Sequence, residues 1–135
     1  MPVSRVVVFA LALTGGITEA SAGSLPPAEV TKIKAMTGEE LMAATAAFDP
    51  QLASDLARLS NVESQSSVCG WTALGFDTKR QARMNQIKDD RNKMVAERFY
   101  ADILAKDITS YNKDKREELC TEDNKSSVTN ILADW

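Results

Sequence analysis

Residues 76–135 contain neither glycine nor proline, because the last proline of the chain is Pro50 and the last glycine is Gly75. Strands in small domains are joined by frequent turns, and glycine and proline are the residues that such turns use most. A segment of this length without either residue therefore favours helices over strands. We expect an all-α fold, a small bundle of about five helices.

Helix-start signals divide the first half of the chain into short helices. One short helix is expected within residues 28–36, and Thr37 and Glu40 have the spacing of a capping box at the start of the next. Asp49-Pro50 suits the N-cap and first position of a third helix, followed by leucines on one face. The apolar residues of segment 60–76 show no clear helical or strand periodicity. Within it NVESQSS predicts a loop, and VCGWTALGF is an apolar patch that we expect to be buried.

The longest periodic segment follows Asp77, an expected N-cap, and extends to about Tyr111. Its apolar residues do not keep to one face of a helix, so we expect it either to cross more than one neighbour or to break near Glu97. A last short helix is expected to begin near Ser126 or Ser127.

Residues 1–22 have the layout of a cleaved signal peptide. One basic residue precedes the apolar run VVVFALAL, and the small residues Ala20-Ser21-Ala22 follow it. The run is too short for a membrane anchor, which needs about 18 apolar residues or more. We predict cleavage after this motif, a lead-in with a short helix over residues 23–36, and a single helical domain over residues 37–135. The mature chain is expected to be periplasmic or secreted, without a transmembrane segment.

The chain has two cysteines, Cys69 and Cys120, and both lie in the predicted mature part. An even number of cysteines in an oxidising compartment predicts one intramolecular disulfide, Cys69–Cys120. The alternative is a redox-active or metal-binding thiol pair. The wide spacing of the cysteines and the absence of histidine favour the structural disulfide.

The chain contains no histidine, which excludes Ser-His-Asp and Cys-His catalysis, histidine-ligated zinc and an axial haem histidine. Pairs of carboxylates are adjacent in sequence and therefore diverge on a helix, so they do not form an acid–base pair. We expect no enzyme activity, no catalytic residues, no cofactor and no metal. The formal net charge of −3 argues against nucleic acid as a partner.

Residues 78–98 are rich in basic side chains, whereas the chain on either side is acidic. On a straight helix several of the arginines form a row, and guanidinium groups bind carboxylates or phosphates through paired hydrogen bonds. The alternative is a solvated helix face whose basic residues are balanced by nearby acidic ones. The arginines in question are Arg80, Arg83, Arg91 and Arg98.

Binding interfaces favour tryptophan as well as arginine. The sequence therefore predicts a binding surface in which these four arginines act beside an apolar edge formed by the Trp71 to Phe76 patch or by Trp135. The expected partner is another envelope or extracellular protein, and a homo-oligomer is left open. Two alternatives remain: an acid-stress chaperone-like protein, and a carrier with a small-ligand pocket between helices.

The second cysteine is followed by the polar turn Cys120-Thr121-Glu122-Asp123-Asn124-Lys125. Together with a signal peptide and one wide cysteine pair in a small acidic helical domain, this arrangement resembles the periplasmic acid-stress chaperones. The resemblance covers the chain from Cys69 to its end. The sequence departs from that family in carrying a further helical segment before Cys69 and only a short tail after Cys120. The resemblance implies a dimer that loosens at low pH and exposes apolar surface to unfolding proteins.

Overall fold

A computed structural model describes residues 25–111 and 113–135 of the chain. Within these residues there are seven α-helices and no strand, so the predicted all-α fold is confirmed. The predicted signal peptide and its cleavage motif lie outside the described residues.

Two compact units make up the chain, the first ending at Ala35 and the second comprising Met36–Trp135. Helix α1 belongs to the first unit and all later helices belong to the second. The helices are α1 (Pro27–Lys34), α2 (Gly38–Phe48), α3 (Pro50–Val68), α4 (Phe76–Met84), α5 (Asp90–Ser110), α6 (Arg116–Leu119) and α7 (Glu122–Ala133), with a 3₁₀ turn at Lys113–Lys115.

The predicted starts of α2 and α3 are confirmed. The Thr37 hydroxyl accepts a hydrogen bond from the Glu40 backbone N–H at 3.2 Å, and the Glu40 carboxylate accepts one from the Thr37 N–H at 2.8 Å. The Asp49 carboxylate accepts from the Leu52 N–H at 3.0 Å, and Pro50 occupies the first helical position. These contacts satisfy N–H groups that have no partner within the helix.

Helices α2, α3 and α5 pack on one another, while α7 packs on α3 and α4 on α5. Gly38 lies against the charged ends of the Asp102 and Lys106 side chains of α5, which would have to shift to accommodate a Cβ at this position. Burying large apolar side chains between the helices supplies most of the stabilisation of such a bundle. The buried apolar side chains of this unit include Leu41, Leu52, Leu56, Leu59, Val95, Phe99, Val128 and Leu132.

Helix α3 is longer than its sequence predicts, because residues 60–67 are helical and do not form a loop. Ser60 and Ser64 continue the buried stripe of Leu52 and Leu56 at a spacing of four residues. The Ser60 hydroxyl donates to the Asp107 carboxylate at 2.7 Å, and the Ser64 hydroxyl donates to a backbone carbonyl of its own helix. Serines satisfied in this way can be buried at little cost.

Three other expected helix boundaries are wrong. Helix α4 begins at Phe76 with Gly75 as its N-cap, so Asp77 lies in the first turn. The segment after α4 breaks at residues 85–89 and not near Glu97, because Asp89 starts α5 by accepting a hydrogen bond from the Asn92 N–H at 2.9 Å. The last helix begins at residue 122, after the N-cap Thr121, and not near residues 126–127.

The predicted disulfide between Cys69 and Cys120 is confirmed, with their Cα atoms 5.4 Å apart. Cys69 is the C-cap of α3 and Cys120 follows α6, so the bond joins the end of the long helix to the C-terminal part of the chain. Next to it the Gln65 side-chain amide donates to the Leu119 carbonyl at 3.1 Å. The disulfide thus reinforces a junction that also has its own hydrogen bond.

Replacing both cysteines by serine is expected to lower the free energy of unfolding by about 4 kcal/mol, because the bond closes a long loop in the unfolded chain. The sequence separation of the two residues is 51. Thermal and denaturant unfolding measure the change. Reductant should lower the Tm of the parent protein and leave the Tm of the double variant unchanged. Equal stability of parent and variant would contradict the prediction.

Candidate functional site

Helix α4 lies between two irregular segments, residues 69–75 and 85–89. The first of these contains Gly70 and Gly75 at φ values of 72° and 86°, where side-chain-bearing residues are strained. The apolar residues Phe76 and Met84 at the two ends of α4 are buried. The rest of the helix is largely polar, so ionic contacts supply much of its attachment to the neighbouring helices.

Arg80 lies at the centre of the first of these ionic contacts. Its Nη1 is 2.6 Å from Oε1 of Glu63 in α3, and its Nη2 pairs with Asp77 one turn earlier in α4. The guanidinium carbon lies 4.9 Å from the ring centroid of Tyr100 in α5. The Tyr100 hydroxyl donates to the same Glu63 oxygen at 2.5 Å. Four charged or polar side chains from three helices therefore form one cluster, which we call the Arg80 cluster.

The Arg80 cluster changes the acidity of its members. Burial raises the pKa of Tyr100, and the hydrogen bond to the negatively charged Glu63 raises it further. Burial lowers the pKa of Arg80, but the nearby Glu63, Tyr100 and Asp77 outweigh that effect and raise it. The guanidinium therefore stays charged and the phenol stays protonated at neutral pH.

Arg83 forms a second connection one turn further along α4. Its Nη1 is 3.1 Å from Oδ2 of Asp55 in α3. Its guanidinium carbon lies 5.5 Å from the centroid of the Trp135 ring, a cation–π contact. The Lys79 ammonium reaches the Trp135 carbonyl oxygen at 3.5 Å. The Trp135 ring, which is partly exposed, is thus held against the side of α4.

The structure does not place the four predicted arginines in one row. Arg80 and Arg83 lie on α4, and Arg91 and Arg98 lie on α5, beyond the break at residues 85–89. Arg91 is exposed and Arg98 is half-buried, and the two are separated by two turns of α5. The expectation of a straight arginine row is therefore wrong, because it depended on an unbroken helix.

Trp71 lies at the other end of α4, on the wall of a cavity of about 260 Å³. The cavity opens between the last turns of α3 and the start of α4, and its other lining residues include Glu63, Ser66, Phe76 and Asp77. The Ser66 hydroxyl donates to the Trp71 carbonyl at 2.5 Å and fixes the loop at this point. Both predicted tryptophans thus adjoin α4, Trp71 near its start and Trp135 along its second half.

Sequence reasoning missed Asp55, Glu63 and Tyr100 as members of this region. Only the spacing of Asp77 and Arg80, three residues apart on one helix, predicts a contact by itself. Asp55 and Glu63 meet α4 through the packing of α3, and no local pattern indicates which basic residue each one faces.

The described residues give two further findings. None of the helices in residues 25–111 and 113–135 combines the length and hydropathy of a membrane-spanning segment. In the same part of the chain, no group of three or more cysteine, aspartate or glutamate side chains is arranged to hold a metal ion.

Comparison with known proteins finds no matching family model, no matching curated protein and no matching solved structure.

The raised pKa of Tyr100 predicts a loss of stability at alkaline pH. A phenol whose pKa is higher in the folded than in the unfolded state stabilises the fold fully below about pH 10, and this contribution is lost as the pH rises further. Titration followed by phenolate absorbance should show one of the two tyrosines ionising only as the protein unfolds. Tyr100→Phe should remove that late component, whereas Tyr111→Phe should retain it. A late component that survives Tyr100→Phe would contradict the assignment.

Proposed function

We propose that this chain is an exported, non-enzymatic helical protein that binds another protein through the surface around α4. We call this the α4 surface and define it by Trp71, Arg80, Arg83 and Trp135, with Arg91 and Arg98 of α5 as its basic extension. The partner is an envelope or extracellular protein. Export is supported by the signal-peptide pattern of residues 1–22 and by the disulfide, which persists in oxidising compartments.

The observation that carries the proposal is the position of both tryptophans beside one helix. Partly exposed tryptophans are expensive to leave in water and are enriched among the residues that dominate binding energies. The Trp135 ring is also held by Arg83, which itself pairs with Asp55. A side chain fixed before binding loses less conformational entropy when a partner covers it.

The ion pairs of Arg80 and Arg83 support a positioning role for these two arginines. The side chains of Arg80 and Arg83 are only 19% and 26% exposed and have carboxylate partners within the protein. In the proposal Arg80 and Arg83 position α4 and Trp135. The positive charge of Arg91 and Arg98, which also interact within the protein, contributes to the attraction of an acidic patch on the partner. Such attraction acts mainly on the association rate and weakens as salt rises.

Pull-down from the envelope extract of the source cells, followed by affinity measurement with the purified partner, tests the proposal. Trp71→Ala and Trp135→Ala should each weaken binding about tenfold or more, because each removes a large apolar contact. The double charge reversal Arg91→Glu with Arg98→Glu should slow association and reduce its salt dependence.

Two control variants keep this test specific. Met42→Ala removes a large apolar side chain that is 50% exposed on α2, which is not part of the defined α4 surface, and should leave binding unchanged. Arg58→Glu reverses an exposed charge on α3 and should do the same. A partner that binds both tryptophan variants as tightly as the parent protein would refute the proposal.

A second candidate function, an acid-responsive chaperone-like protein, is favoured by the way α4 is attached. Glu63 and Asp55 have side chains only 18% and 16% exposed, and they face Arg80, Tyr100, Asp77 and Arg83 from the adjoining helices. Loss of either carboxylate charge would remove the partner that holds the corresponding arginine. Release of α4 would expose Phe76 and Met84. The small-ligand carrier stays a prediction that no contact specifically favours.

Acidification from neutral pH to about pH 3 is expected to increase the binding of an apolar fluorescent dye to this protein. Over the same range the protein should begin to suppress the aggregation of an unfolded test protein. Glu63→Gln combined with Asp55→Asn imitates the protonated pair and should bind more dye than the parent already at neutral pH. Asp123→Asn, in an exposed position of α7, serves as the control. Constant dye binding over the whole range would exclude this second function.

A further inference from the structure

We propose that the cavity beside Trp71 receives a basic side chain, lysine or arginine, from the protein partner. The inference rests on the proposed function and adds the chemistry of one contact. The cavity has a volume of about 260 Å³ and opens between the C-terminal turns of α3 and the first turn of α4. This volume is below the roughly 300 Å³ at which drug-sized ligand pockets begin, and it suits a single side chain.

The charges that line the cavity are not balanced. Glu63 and Asp77 supply two carboxylates, and the Arg80 guanidinium bridges them with a single positive charge. Glu63 is largely buried, whereas the Asp77 side chain is 85% exposed and accessible to an incoming group. One formal negative charge therefore remains, and in the reduced dielectric near a protein surface it attracts a cation more strongly than it would in water.

The end of α3 adds to this negative potential. Aligned peptide dipoles leave a partial negative charge at a helix C-terminus, where basic side chains are stabilising. Helix α3 has 19 residues and carries no basic residue in its last turn. Ser66 and Ser67 of this turn line the cavity, and their carbonyl oxygens already accept hydrogen bonds from the Trp71 and Gly70 N–H groups, so a cation placed there would be near the negative end of the helix dipole without binding free carbonyls.

Trp71 and Phe76 provide the apolar part of the cavity wall. Lysine and arginine bury their aliphatic stems against apolar surface and keep the charged head near polar groups. An indole face also attracts a cation directly. The cavity thus suits both parts of a basic side chain. Its aromatic rings can contact the aliphatic stem, and its carboxylates can pair with the charged head. An acidic side chain would meet net repulsion at the same place.

NMR titration of the isolated, oxidised protein tests the inference without the partner. The chain has two tryptophans, so Trp135→Phe assigns the indole N–H signal of Trp71. N-acetyl-lysine-methylamide should shift this signal with a dissociation constant in the millimolar range. The norleucine analogue, which has a similar stem without the charge, should not shift it.

Charge variants locate the contact. Asp77→Asn should weaken binding of the lysine probe about threefold, the size of an exposed ion pair. Asp123→Asn is the matched control, because it neutralises an exposed carboxylate in the first turn of α7. Circular dichroism should show that both variants keep the helical content of the parent protein.

Three outcomes would overturn the inference: equal shifts by the lysine and norleucine probes, equal affinity of the Asp77→Asn variant, or tighter binding of free spermidine, which would assign the cavity to a polyamine.

Failure of the proposed function is distinguishable from these results. If the lysine probe binds but the tryptophan variants retain the partner, the cavity binds a basic side chain and the proposed α4 binding surface is refuted. If the tryptophan variants lose the partner and no probe binds, the α4 surface is supported and the cation-binding cavity is refuted.

Discussion

The Glu63 carboxylate joins three helices, since it belongs to α3 and its Oε1 oxygen accepts hydrogen bonds from Arg80 of α4 and Tyr100 of α5. Hydrogen bonds to a charged group contribute about 1.5–3 kcal/mol each, roughly twice as much as neutral ones. Helix α4 has only Phe76 and Met84 buried, so it depends on such contacts more than the helices of the central bundle do. The Trp135 ring lies against Arg83 of α4, whereas Trp71 is held by hydrogen bonds to Ser66 of α3.

The parts of the fold that could be predicted are those set by local chemistry. The capping box of Thr37 and Glu40 and the Asp49-Pro50 start depend on residues within one helical turn. The disulfide is predicted from the even number of cysteines, their wide spacing and the absence of histidine. By contrast, the polar half of α3 was misread, because serines whose hydroxyls bond to Asp107 or to a backbone carbonyl fill buried positions as small apolar residues would. The break before Asp89 could have been found, since Asp89 is a good N-cap residue.

The candidate site was harder to predict because it depends on tertiary pairing. Residues 78–98 contain the right kinds of side chain, but their composition does not show which arginines face inward. Arg80 and Arg83 turn toward Glu63 and Asp55. Those two acidic residues lie eight positions apart on α3, so their side chains fall on adjoining parts of one face. Only the tertiary packing of α3 against α4 brings each of these arginines next to its carboxylate.

The electrostatic character of the α4 surface differs between its two tryptophans. Near its start, Glu63 and Asp77 line the cavity that also contains Trp71, and their negative charge is partly offset by Arg80. On another side of the helix, Lys79 and Arg83 lie against Trp135, and Arg83 is also paired with Asp55. In the proposed binding mode, a partner that covers both tryptophans would present a basic group beside Trp71 and tolerate or complement positive charge beside Trp135. Such a polar arrangement would fix the direction in which a partner can lie, because the reversed orientation would place like charges together beside both tryptophans.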